Sequence, residues 1–446
     1  MEISTVNPAT GKRISTYKLY SDEKIDKILM AATVGFDSWK KTTIDKRCEL
    51  LKNLVKLLKE DRVKLAQMMT DEMGKVEKEA LAEVDKCAWL SEVYIENLKE
   101  WLADEVVVAD GLQHRVVFQP LGVIVSIMPW NFPFWQALRF GIPTILAGNV
   151  SILKHSNQVP GCALLIEDLF KRAGFPEGVF QAVLATHQQV TEKLIRAEKV
   201  RGISLTGSTE AGQKVASEAG KYLKKVVLEL GGSDPFIVLE DADIEAAAKG
   251  AAAGRLLNCG QSCIAAKRFI VIESIADRFT DAFIRELSKI EVGPLVNIAA
   301  VNELKVQLED ARKRGGDISI IEKKTNDGGF YFNPAVVRNA SKEMSVVTQE
   351  VFGPIAPIIR VKNEREAIEI ANSTEFGLGG SVWTKDLARG ERVALELECG
   401  SVFVNSMVKS DPRMPFGGVK MSGIGRELSK WGLREFVNVK GLNIYS

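Results

Sequence analysis

Histidine is scarce in this chain, and no ligand pattern surrounds what there is. His114, His155 and His187 are the three in 446 residues, and they stand far apart. No Gly-x-Ser-x-Gly elbow accompanies them to build a Ser-His-Asp hydrolase, and a metal site needs more ligands at workable spacing. Each is read as a surface or packing residue, and no metal is expected. Charge of one sign is also missing. The net charge is +1, which draws neither nucleic acid nor an anionic membrane. No apolar run approaches the roughly 18–20 residues that span a bilayer, and no cationic segment leads into an apolar one at the N-terminus. The six cysteines follow no disulfide-scaffold or zinc spacing. Together these predict a cytoplasmic, reduced protein that needs neither membrane nor nucleic acid. Repeats and low-complexity linkers are absent too, and a chain this long is expected to form two or three domains.

What is present is a carboxylate and a cysteine, each flanked by glycine. Glu229-Leu230-Gly231-Gly232 precedes Gly260-Gln261-Ser262-Cys263 by some thirty residues. Either motif alone reads as a helix C-cap glycine pair or a buried thiol. Together they suit a covalent mechanism: a cysteine attacks a carbonyl, a carboxylate activates the water that releases the adduct, and the glycines let a substrate approach the backbone.

Hydrophobic spacing divides the chain into regimes. From Ser21 to about Leu102 the period is helical, with Ile25, Ile28, Leu29 and Ala32 as one example. Val106–Val108 and His114–Pro120 read as two strands around an Asp110-Gly111 turn. From Gly122 to about Leu230 short apolar runs alternate with amphipathic stretches, and a second alternating block runs from Pro235 to about Val404. Such alternation predicts α/β architecture, with parallel sheets covered on both faces. Ligands of open parallel sheets bind beyond the carboxyl ends of the strands. Here those ends are expected to carry Pro129–Pro133, Lys154–Asn157 and Leu205–Thr209. The last opens a helix, where free N–H groups favour a phosphate.

No strand is followed by Gly-x-Gly-x-x-Gly. Gly207–Lys214 nearly matches a P-loop, but Gln213 replaces the lysine and Val215 the Ser or Thr. A P-loop phosphotransferase is the alternative from another class, and this mismatch counts against it.

Seven motifs in order, Asn7-Pro8-Ala9-Thr10-Gly11, Pro129-Trp130-Asn131-Phe132-Pro133, Thr206-Gly207-Ser208, Glu229–Gly232, Gly260–Cys263, Glu350-Val351-Phe352-Gly353-Pro354 and Pro415-Phe416-Gly417-Gly418, carry a resemblance. They are similar to those of the NAD(P)-dependent aldehyde dehydrogenase superfamily, over essentially the whole chain. The resemblance implies an open parallel-sheet dinucleotide-binding domain (1–104 and 122–230), an α/β catalytic domain (231–425) and a strand arm (105–121 and 426–446). An exposed arm leaves unpaired strand edges on a monomer, so a homodimer or homotetramer is expected.

The resemblance also implies roles. Cys263 would be the nucleophile, Asn131 with the Cys263 backbone N–H the oxyanion donors, and Glu229 the base that hydrolyses the thioester to a free acid. Glu427 would relay protons, or else pair at the surface with Arg426 or Lys430. Ile127, Trp130, Lys154, Ser156, Asn157, Gly207, Ser208, Leu230, Gly231, Glu350 and Phe352 would bind the cofactor. Many strictly NAD-using members have a glutamate where Asn157 stands. A neutral residue beside cationic Lys154 predicts that NADP is accepted and preferred over NAD.

For the substrate, Glu229–Pro235 and Lys154-His155 resemble the short succinate-semialdehyde dehydrogenase branch. Arg139 matches an arginine that holds a distal carboxylate, or it forms a salt bridge to a helix neighbour. A second arginine of such enzymes is replaced by Leu257, with Arg255 out of register. Trp135, Ser262, Ser410, Arg413 and Phe416 would complete the pocket. Oxidation of glyceraldehyde or lactaldehyde is the alternative within the branch. Some superfamily members are structural proteins, but those tend to lose the cysteine that is kept here. Cys259, four residues before Cys263, is expected either as a buried filler or as a redox partner.

Overall fold

The computed structural model describes residues 1–323 and 328–445. Two parallel sheets dominate it, each with one short antiparallel edge. The first runs in the order Gly423–Ile424, Lys225–Glu229, Val200–Thr206, Val123–Met128, Val150–His155, Phe180–Ala182, and only Gly423–Ile424 is antiparallel. The second runs Asp317–Ile320, Ala335–Arg338, Ile355–Val361, Ala266–Ile272, Asp234–Val238, Gly379–Trp383, Ser401–Val404, with Asp317–Ile320 antiparallel. Central strands are covered on both faces, so their sequences are continuous apolar runs rather than alternations. All seven residues of Ala266–Ile272 are buried. Each sheet has its own core, built on Ile124, Ile152, Ile203 and Val227 in the first and Phe236, Ile270, Ile358 and Val382 in the second.

The predicted helical N-terminal region is four helices, Asp22–Trp39, Ile44–Glu60, Arg62–Met73 and Glu77–Trp101. Ser21 and Thr43 cap the first two by accepting from the N–H groups of Lys24 and Lys46, which satisfies donors that a helix start leaves unpaired. Ahead of them, Glu2–Val6 and Arg13–Lys18 form a hairpin. Its turn is the Asn7–Gly11 motif, where Asn7 Oδ1 accepts from Ala9 N at 2.9 Å.

The strands expected near 106–120 are Glu105–Val107 and Gln113–Pro120, and Val437–Ile444 joins them in a three-stranded antiparallel sheet. Val106, Val108, Leu112, Val439 and Tyr445 are exposed along it. Two elements depart from regular alternation. The strand Phe180–Ala182 is short, and the helix after it widens to π-type turns over Val190–Ile195. The Ser345–Val361 stretch is a short helix, Ser345–Thr348, and a strand, Ile355–Val361, with irregular chain between. Among the described residues, no helix is long and apolar enough to cross a membrane.

This topology places the expected site. Four adjacent strands of the first sheet end at Met128, His155, Thr206 and Glu229. Their following residues, Pro129–Phe132, Ser156-Asn157, Gly207-Ser208 and Leu230-Gly231, therefore line up along the carboxyl edge where such sheets bind ligands.

Candidate active site

The loop carrying Cys263 is strained and heavily braced. Helix Ile244–Leu256 ends at Leu257, and then Asn258 and Cys259 both take left-handed backbone (φ 54° and 55°). Two such residues in succession are costly and persist only where surroundings enforce them. Gly260 follows at φ +76°, and a Cβ there would lie 2.6 Å from the Gly353 carbonyl carbon, so only glycine fits. Arg255, fully buried, donates to the carbonyls of Ala266 (3.0 Å), Gly260 (2.9 Å) and Val351 (3.3 Å). Lys267 Nζ donates to the carbonyls of Ser262 (2.9 Å) and Cys263 (2.6 Å) and lies 3.2 Å from Glu350. Arg255 is thus a brace for the loop.

Asn131 is tied to this loop from the first sheet. Its Nδ2 donates to the Gln261 carbonyl at 3.0 Å, and its Oδ1 accepts from Gln136 Nε2 at 3.0 Å. Asn258 Nδ2 in turn donates to the Asn131 carbonyl at 2.9 Å. The Cys263 backbone N–H donates to no acceptor among the described residues. Asn131 leads into helix Pro133–Leu146, which is buried throughout. Glu83 Oε1 accepts from the N–H groups of Phe134 and Trp135 at 2.9 Å each, and its other oxygen pairs with Lys75. A carboxylate at a helix N-terminus satisfies unpaired donors and complements the dipole.

Two cavities meet at Cys263. One, of about 610 Å³, is lined by five of the six side chains expected at the substrate, Trp135, Arg139, Ser262, Ser410 and Phe416, and also by Lys86 and Leu257. The other, of about 260 Å³, is lined by Asn131 and by Trp130, Gly207, Ser208, Leu230, Gly231, Glu350 and Phe352. Cys263 and Gln136 line both. Within the second, the Trp130 and Phe352 rings meet edge to face at 5.9 Å. Glu350 Oε1 accepts from Gly232 N at 3.1 Å, and a Cβ on Gly231 would lie 2.6 Å from Glu350 Oε2. Ser208 caps helix Thr209–Lys221, accepting from Ala211 N. Gln213 and Val215 lie inside that helix, so the near P-loop is a capped helix start.

Ile127, Lys154, Ser156 and Asn157 line neither cavity but lie on the next strand ends. Ile127 pairs in register with Lys154 on one side and Leu205 on the other. Lys154 is buried, with Nζ 3.4 Å from Asn157 Oδ1. Burial brings its pKa down to about 8. Ser156 Oγ accepts from Gln158 N at 3.2 Å.

Glu229 is at the end of its strand, buried, and neither carboxyl oxygen has a hydrogen-bond partner among the described residues. It lines neither cavity. Burial first, then the neighbouring Glu427, push its pKa well above the ordinary carboxylate value, with Arg139 and Arg426 opposing. Its setting therefore favours the neutral form of the carboxyl over the ionised one. Glu427 is not at the surface, as a pair with Arg426 or Lys430 would require. The segment Phe416–Glu427 closes on itself through Phe416 N to the Glu427 carbonyl at 2.8 Å and Glu427 N to the Phe416 carbonyl at 2.7 Å. This turns the Glu427 side chain inward to an ion pair with Arg139 Nε, beside Ser204 Oγ at 3.5 Å. Arg139 pairs across the fold rather than with a helix neighbour, and its guanidinium also lies 4.7 Å from the Phe416 ring centroid.

Burial raises the Cys263 thiol to about 12, although Lys267 and Arg139 pull it down. Cys259 is buried, lines neither cavity, and burial likewise holds it at about 12. That suits the filler expectation. Arg413 was expected in the pocket, but it is two-thirds exposed, pairs with Asp411 at 2.6 Å and lies outside the cavity lining. Gln136, Lys86, Lys267 and Glu83 carry no motif in the sequence; only their neighbours in space mark them.

A strand-end cleft that meets a braced cysteine suits an oxidoreductase of carbonyl substrates. The chain belongs to the aldehyde dehydrogenase family: a model of that family matches residues 1–442. It is 44% identical over 453 residues, 99% of each chain, to succinate-semialdehyde dehydrogenase [NADP(+)] 1 of Mycobacterium tuberculosis. It is 43% identical over 450 residues, again 99% of each, to a probable succinate-semialdehyde dehydrogenase [NADP(+)] of Synechocystis. Its fold superposes on succinic semialdehyde dehydrogenase from Streptococcus pyogenes, solved with NADP+, at a TM-score of 0.95 with 34% identity and full coverage of both chains. The phosphotransferase alternative falls with that membership.

Proposed function

We propose that this enzyme oxidises succinate semialdehyde to succinate with NADP as the hydride acceptor, through a thioester on Cys263. The observation that carries the reading is the meeting of the two cavities at one thiol, with Arg139 and Ser410 in the wall of the larger. The relatives' names supply the particular aldehyde and cofactor. A nicotinamide dinucleotide fits the smaller cavity and the strand ends beside it. Thr206 Oγ1 there is buried without a partner, Gly231 leaves open the space a side chain would fill, and Lys154 has no carboxylate within pairing distance among the described residues.

Once the Cys263 thiol has given its proton to solvent, attack of the sulfur on the carbonyl carbon forms a C–S bond, breaks the carbonyl π bond and puts negative charge on the carbonyl oxygen. The Asn131 amide has one hydrogen committed to Gln261 and a second to offer, and the Cys263 N–H is free, so both can donate to that oxygen. Bound NADP supplies the acceptor for the hydride that leaves the carbon as the thioester forms. Lys154 and Ser156 would hold the adenosine end, and Glu350 and Phe352 the nicotinamide end. Glu229, once ionised, takes the proton of the water that cleaves the thioester, releasing the acid and the thiol. Glu427 and Arg139 beside it set how readily Glu229 ionises.

The same reading keeps residues 1–104 and 122–230 as the cofactor domain, 231–425 as the catalytic domain, and 105–121 with 426–446 as the arm. The exposed valines of the arm support a homodimer or homotetramer joined there. It also keeps the cytoplasm as the enzyme's place.

The test is initial rates with succinate semialdehyde, glyceraldehyde, lactaldehyde and butanal, each with NADP and with NAD. The reading requires the largest kcat/KM for succinate semialdehyde with NADP, and no turnover in Cys263→Ala. A higher kcat/KM for the hydroxyaldehydes would move the enzyme to that branch.

A further inference from the structure

We propose that Lys86, together with the Ser410 hydroxyl, receives the distal carboxylate of the substrate and so sets the preference for acidic aldehydes. This rests on the reading of the larger cavity as the aldehyde pocket and deepens it.

Lys86 projects from helix Glu77–Trp101 into the cavity that Cys263 also lines. Its Nζ donates to Ser410 Oγ at 2.7 Å and stands 4.2 Å from the centre of the Trp135 ring. Lys86 is half-buried, and no carboxylate comes within ion-pairing distance of it among the described residues. Of the acids around it, Glu83 and Asp411 act on its charge, and Glu79 and Glu291 line the same cavity. The first two are committed elsewhere, Glu83 to Lys75 and Asp411 to Arg413.

Arg139, the residue expected to hold a carboxylate, is in the opposite condition. Its charge is offset by Glu427, inside the protein. A carboxylate arriving at Arg139 alone would meet a pair that is nearly neutral overall. At Lys86 it would meet an uncompensated ammonium, and a hydroxyl that can turn its hydrogen outward, since Lys86 Nζ occupies only an oxygen lone pair. Leu257, in the same wall, offers nothing polar. Burial, then Arg139, lower Lys86 to about 8, so the amine is still mostly protonated at neutral pH. A bound carboxylate would favour the charged form further.

The experiment compares kcat/KM for succinate semialdehyde and for butanal, its uncharged four-carbon counterpart, in wild type, Lys86→Met and Lys86→Arg at pH 7 with saturating NADP. Methionine keeps the packing against Trp135 and removes the charge. The ratio of the two constants is expected to fall about 10- to 100-fold in Lys86→Met, as for the loss of a hydrogen bond to a charged group. The fall should lie chiefly in KM for succinate semialdehyde and recover in Lys86→Arg. A ratio that stays at the wild-type value, or two constants that fall in parallel, overturns the assignment. Should Lys86→Met not fold, Lys86→Gln gives the same ratio test. A wild type that oxidises butanal as well as succinate semialdehyde overturns the acidic-aldehyde reading itself. A wild-type preference that survives the substitution overturns only the role of Lys86.

Discussion

Gln136 donates from Nε2 to Asn131 Oδ1 at 3.0 Å, and this bond decides which end of the Asn131 amide faces the cysteine loop. With the oxygen held by Gln136, the nitrogen must point to Gln261 and the space beside Cys263. Gln136 itself lines both cavities.

Gln136→Leu should therefore lower kcat with little change in KM for the aldehyde. Loss of an oxyanion donor costs about 100- to 1000-fold, and loss of its orientation alone should cost about tenfold. Steady-state rates check this, and a change in KM alone would show that Gln136 only shapes the pocket.

Cys263 is raised to about 12 by burial. Below that value the thiolate fraction grows tenfold per pH unit, because the neutral form dominates. The rate of alkylation by iodoacetamide, without cofactor, should climb steadily from pH 7 to 9.5. A plateau near 8.5, the value of an unperturbed thiol, would contradict it. Removing the opposing charge in Lys267→Met should slow alkylation at every pH in that range.

Asn157→Glu brings a carboxylate to within reach of Lys154 Nζ, now 3.4 Å from Asn157 Oδ1. It neutralises the lysine and repels a 2′-phosphate. KM for NADP should rise about tenfold or more, since misplaced like charges cost several kcal/mol. KM for NAD should change much less, and equal changes for the two cofactors would remove the phosphate from the account.

Arg139 and Glu427 are a buried ion pair, so removing either partner strands the other. Arg139→Ala and Glu427→Ala should each lower stability by about 3–5 kcal/mol, and the double variant by clearly less than their sum. Urea denaturation of the four proteins measures the coupling.

Local signals in the sequence marked much of this molecule. Apolar runs identified the central strands, and the polar residues after Met128, His155 and Thr206 identified the cleft. What the sequence hid is contact between remote segments. Lys86 meets Ser410 across 324 residues, and Asn258 meets Glu79 across 179. Neither pairing leaves a periodicity or a motif behind. For Glu427 the sequence left two readings open for a related reason: beside Arg426 and near Lys430 it has the composition of a solvated turn. Only the closure of residues 416–427 on themselves carries it inside.

The short strand Gly423–Ile424 pairs with Leu228 and Glu229, and Glu427 follows three residues later. These late residues complete the acid pair beside Cys263, although the thiol loop and the sheet are made far earlier. On the ribosome, then, the protein would hold a shaped cleft and a cysteine before it held the environment of Glu229. Until those last segments emerge and dock, Glu229 stays nearer to water and to its ordinary carboxylate behaviour, so the order of synthesis leaves its final proton affinity to be set last.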